Sequence, residues 1–152
     1  MAGVVWFRRM MPAAVWAAAV VALSFSSASS ATESLPVRIE ITNAKSGSMV
    51  RCQLVLAHFV TLESDKIGPN HHTTIALRRD VRAGTLLYPR ADGPPMALEN
   101  IYCGLDEDWA ATRNDLDLTR LRGGGQDRLR IICDGQQGLA CAVAPSTSGQ
   151  DE

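Results

Sequence analysis

Aromatic side chains are scarce, and half of them precede residue 32. Of three Trp, three Phe and two Tyr, Trp6, Phe7, Trp16 and Phe25 fall in that segment, leaving Phe59, Tyr88, Tyr102 and Trp109 for the rest. Four scattered rings that must also help fill a core exclude the flat platform of a sugar-binding sandwich. There is no Cys-x-x-C pair. Cys52, Cys103, Cys133 and Cys141 follow one another at intervals of 51, 30 and 8 positions, unlike the ligand spacing of a zinc site. No Gly-x-Ser-x-Gly nucleophile elbow occurs, and Lys45-Ser-Gly-Ser48 is turn material. Gly123-Gly-Gly125 lacks the lysine and the strand–helix setting of a phosphate loop. Arg78, Arg79 and Arg82 lie close together, but acidic residues are interspersed and no basic face dominates. The electrostatic footprint for nucleic acid or anionic lipid is therefore missing.

The most informative stretch is at the start. Arg8 and Arg9 precede an apolar run from Met10 to Phe25, followed by Ser26-Ser27-Ala28-Ser29-Ser30-Ala31. A positive region, an apolar region and a small-x-small site define a secretory signal. Cleavage after Ala31 is the first choice and after Ala28 the second. A retained anchor is the competing reading, weakened by Pro12, Ser24 and the serine- and alanine-rich end of the run. No later segment is long and apolar enough to span a bilayer, so the expectation is a periplasmic or secreted protein without stable membrane insertion. Removing residues 1–31 from the 152 leaves 121, enough for one domain. Two of the fifteen basic residues leave with the signal and none of the sixteen acidic ones, so the net charge moves from −1 to −3.

The mature chain reads as strands and turns. Val37-Arg-Ile-Glu-Ile-Thr42 alternates strictly, with Val37, Ile39 and Ile41 on one face. Asn43 to Ser48 is turn chemistry. A longer strand is expected from about Val50 to Thr61, its core face carrying Val50, Cys52, Leu54, Leu56, His58 and Val60. Alternation resumes at Thr73, Ile75 and Leu77. Asp80 to Gly84 turns, and Thr85–Tyr88 and Met96–Cys103 form a hairpin joined by Pro89 to Pro95, whose prolines do not suit a central strand. Asp106 to Asn114 is the one helix candidate, with Asp106 as its cap and Trp109 folding back onto the sheet. Leu116 to Leu121 reads as a short strand. Leu129, Ile131, Cys133 and then Leu139, Cys141, Val143 alternate again. The expectation is an all-β, antiparallel immunoglobulin-like sandwich with one short helix, braced by disulfides and spanning 32–144. A small open barrel is the alternative, and 145–152 is expected to be a disordered tail.

Four cysteines allow three pairings. Asp134-Gly135 and Gly138 read as a turn that sets Cys133 against Cys141, which leaves Cys52 with Cys103. Chain entropy assigns roughly 4 kcal/mol to the long loop and roughly 2.6 to the short one.

His58, placed by alternation among core side chains, is read as a hydrogen-bonded core histidine, with a proton-transfer or ligand site shared with Glu99 as the sharper alternative. His71 and His72 bind one ion together only if their segment is a loop, because neighbours on a strand face opposite ways. Met49 and Met96 do not cluster with histidines as in a copper carrier. Asp106, Glu107 and Asp108 suit the start of a helix. The inventory points to an exported, non-catalytic protein-binding or accessory factor of a bacterial-type envelope, needing no cofactor and partnered by another exported protein. The alternative is a periplasmic metal-binding protein using histidines, with His58, His71 or His72 as candidates.

Overall fold

The computed structural model describes residues 33–136 and 138–145. The expected signal, 1–31, and residues 146–152 of the expected tail lie outside the described residues.

Alternation becomes burial strand by strand. β1 (Ser34–Asn43) buries Val37, Ile39 and Ile41, and β2 (Val50–Leu56) buries Val50, Cys52, Leu54 and Leu56. β4 (His72–Asp80) buries Ile75 and Leu77, while β8 (Arg128–Asp134) buries Leu129, Ile131 and Cys133. The other strands are β3 (Val60–Glu63), β5 (Leu86–Arg90), β6 (Gly93–Leu105), β7 (Asn114–Asp115) and β9 (Ala140–Val143). All the inward sets belong to one apolar core. Each fully buried Leu or Ile contributes about 1.5–3 kcal/mol relative to exposure.

Hydrogen bonding runs along a single path, β3-β2-β6-β5-β4-β1-β8-β9, with β7 added beside β6. Every pairing is antiparallel except β1 with β8, which is parallel from Arg38↔Arg128 to Asn43↔Cys133. The chain is thus mostly β and braced by two disulfides, as the alternation implies. Its sheet is single and mixed, however, where the immunoglobulin-like expectation is two antiparallel sheets. The reason is β6. Its first half pairs β5 at Ala97 and Met96, and its second half pairs β2 from Leu98 to Leu105. Glu99 is the extra residue of a bulge, since Val55 sits opposite Asn100 and Leu56 opposite Leu98. Bulges bend strands and let one strand pass from one layer to another. Arg122 fastens this corner, donating from Nη2 to the carbonyls of Glu99 at 2.7 Å and Leu98 at 3.3 Å.

Both disulfides join residues directly opposite in register: Cys52 with Cys103 across β2–β6, and Cys133 with Cys141 across β8–β9. Among the described residues no helix is long and apolar enough to cross a membrane.

Four local expectations change. The single strand from Val50 to Thr61 is two strands folded back at Ala57–Phe59. Pro89, Pro94 and Pro95 lie within β5 and β6, but in exposed ends where pairing is sparse and a register shift falls at Pro89, so few ladder bonds are lost. The helix at Asp106–Asn114 shrinks to one turn, α1 (Trp109–Thr112), preceded by Asp108 with no side-chain cap bond. Asp106 is drawn away by Lys66 at 2.7 Å and by Arg51, whose Nε sits 3.5 Å from its carboxylate. Leu116 to Leu121 is not a strand. Leu116, Leu118 and Leu121 reach the core as the chain enters a helical turn, α2 (Thr119–Arg122).

Two residues explain how the ends of these elements are held. Asn43 is fully buried, and its Nδ2 donates to the carbonyls of Ser48 and Ile67, both at 2.9 Å, joining two loops. Gly104 lies under the Trp109 ring, which would stand 2.9 Å from any Cβ there, so this position takes no side chain.

Candidate functional site

β2 turns back where it loses its partner. Leu56 is its last residue in register with β6, which beyond Leu98 departs to pair with β5. The turn that follows contains no glycine. His58 has φ 61° and ψ 29°, and Phe59 has φ 60°. Two consecutive left-handed residues with side chains cost roughly 1–2 kcal/mol each. Phe59 at this apex is 93 % exposed, and Val60 beside it is also exposed. Tyr88, Tyr102 and Trp109 are each partly covered, Trp109 by Arg51, whose guanidinium lies 4.7 Å from the ring centre.

The expected core histidine is thus a correction. The hairpin takes His58 off the buried face and leaves it exposed. Glu99, the bulge residue, is exposed as well, so neither side chain is the buried partner the other was expected to need. One sign of this was legible: a continuous strand would have set Val55, Ala57 and Phe59 on its solvent face, too apolar a set for water.

His71 and His72 stand at the mouth of β4. His71 Nδ1 donates to the Pro69 carbonyl at 2.9 Å, while His72 opens the strand opposite Thr42. Both are exposed. Among the described residues no three His, Cys, Asp or Glu side chains gather as a metal-holding group. Among the described residues one carboxylate is shifted: Asp117 is held below its usual 3.8, first by hydrogen bonding to the Thr119 side chain, then to the Thr119 backbone, with Arg120 adding a smaller attraction. It is fully exposed, which fits the entry to α2 better than acid–base work.

A second charged feature comes from the parallel register of β1 and β8. Arg38 lies beside Arg128, and Arg120, Arg128 and Arg130 line a shallow hollow with Gln126 and Val143–Pro145. Like charges opposed across strands destabilise slightly. Nothing in the intervals between these arginines along the chain revealed their meeting.

The chain matches no family model, no curated protein and no solved structure.

Proposed function

We propose that this chain is an exported, non-catalytic module that binds another exported protein of a bacterial-type envelope, and that the β2–β3 apex is its contact. The observation that carries the reading is Phe59, almost wholly in water on a backbone that resists that position. A lone exposed apolar residue is ordinary. An aromatic held out by two strained residues is not, because strain of this kind persists where a site depends on it. Phenyl rings that enter a partner's pocket supply much of an interface's affinity. The first 31 residues support export, and the two disulfides suit an oxidising compartment. The body beneath is read as a β-sandwich bent at Glu99, with its immunoglobulin-like character part of the same proposal.

Recovery of partners from the native envelope with wild-type and Phe59→Ser protein tests the reading. A partner retained by the wild type and lost by the variant, with both equally folded, is the expected result. Equal recovery by the two proteins, or none by either, defeats it. The mass of protein from the envelope checks export: a chain beginning after Ala31 or Ala28 is expected, and an intact chain left in the cytoplasm contradicts it.

A further inference from the structure

The sheet stops short of closing on one side, where two unpaired strand edges face each other. β3 pairs β2 alone. β4 pairs β1 along its whole length but β5 only at Arg78 and Arg79. From His72 to Leu77, therefore, its other edge has no strand beside it among the described residues. The Asn43 N–H bonds the His71 carbonyl, and the Asp80 N–H bonds the Thr85 carbonyl. By alternation these two bonds aim the backbone groups of Thr74 and Ala76 away from β1, into the open. Between the edges lies a cleft of about 340 Å³ whose lining includes Leu54, Leu62, Ile75 and Tyr88, with Glu63 and Asp65 on its rim. A second hollow of about 350 Å³ continues it past Asp65 and Thr73.

We propose that this cleft receives an extended segment of the partner protein as an added strand between β3 and β4. The inference rests on the protein-binding reading and names the form that the bound chain takes. Three features favour it. Proteins normally guard open edges with lysine, proline or a bulge, yet His72-Thr-Thr-Ile-Ala-Leu77 carries none of these. Four antiparallel steps link β3 to β4, through β2, β6 and β5, so the two strands run the same way and one inserted strand runs antiparallel to both. The apolar lining takes side chains at alternate positions, which gives added strands their specificity. Glu63 is shared with Arg51 at 3.2 Å, whereas Asp65 makes no salt bridge among the described residues. The segment is accordingly about five residues long at roughly 3.3 Å each, apolar at alternate positions, with a lysine or arginine opposite Asp65. Phe59 immediately precedes β3, so apex and cleft meet the same partner.

Photo-crosslinking amino acids placed singly at Glu63, Thr74 and Phe59 of the full chain, in its own envelope, test this. Glu63 and Thr74 stand on opposite rims and are exposed. Crosslinks from both rims to one short segment of one partner, within about five residues of each other, are expected. Crosslinks from the rims to this chain itself, to a second copy, or to distant parts of a partner overturn the added strand. Crosslinks from Phe59 alone overturn it too, while leaving the protein-binding reading intact. Silence at all three positions overturns both.

Discussion

The two ends of the sheet are finished differently. At the β9 end a side chain ties the strand's entry to a neighbouring element: Asn114, on β7, donates through Nδ2 to the carbonyl of Leu139, just before β9, at 2.6 Å and to the Thr112 carbonyl at 2.7 Å. Cys133–Cys141 ties the end strand to its neighbour. At the β3 end, Arg51 binds Glu63 and covers Trp109, so the outer face is held, but among the described residues the strand edge itself stays unpaired. Backbone groups left unpaired need water or another chain. The bridge at the β9 end is therefore a matter of stability, and the β3 end is where we propose that another chain fits.

The disulfides divide along the same line, and removing them tests it most strongly. Cys52→Ala with Cys103→Ala costs about 4 kcal/mol in the chain-entropy model, against about 2.6 for Cys133→Ala with Cys141→Ala. Urea unfolding of the two double variants measures the difference. Equal losses would mean that native strain or residual order outweighs loop length. Asn114→Ala comes next, at about 1–3 kcal/mol, because it strips a partly buried carbonyl of its donor. Amide exchange is expected to quicken in Ala140–Val143 and not in Val60–Glu63, and the reverse pattern would erase the contrast between the ends.

Phe59→Gly acts in the opposite sense. Relief of left-handed strain is offset by glycine's entropy, so stability stays level or rises by up to about 1 kcal/mol while partner binding falls. A clear fall in melting temperature would show Phe59 to be structural. The smallest effect belongs to Asp117, in the loop that follows β7. Its folded pKa lies below its ordinary 3.8, so its stabilising contribution is present above that value and is lost as pH falls through the lowered one. The melting-temperature gap between wild type and Asp117→Asn is expected to close on acidification. A gap that widens instead would contradict the sign.

Much of the core was legible because period two has a direct physical cause: successive strand side chains face opposite ways. Val37, Ile39 and Ile41, the inward set of β2 and that of β8 follow from it without knowledge of any neighbour. Little of the site was legible beyond the overly apolar set of Val55, Ala57 and Phe59. No glycine, proline, asparagine or aspartate marks the turn at Ala57–Phe59, since the turn is imposed where β6 leaves β2 and not by local preference. Asn43 read only as turn material, and its two loop-joining bonds depend on residues brought from 5 and 24 positions away.

The alternating strands, the facing of Cys133 and Cys141 across a turn, and the shortage of familiar catalytic motifs are properties of the residues themselves, set by local geometry and composition. Which strand ends beside which was decided only in three dimensions. Pairing partners, the bulge at Glu99 and the gap between β3 and β4 depend on contacts far apart along the chain, and alternation reports which way a side chain faces but not what it meets.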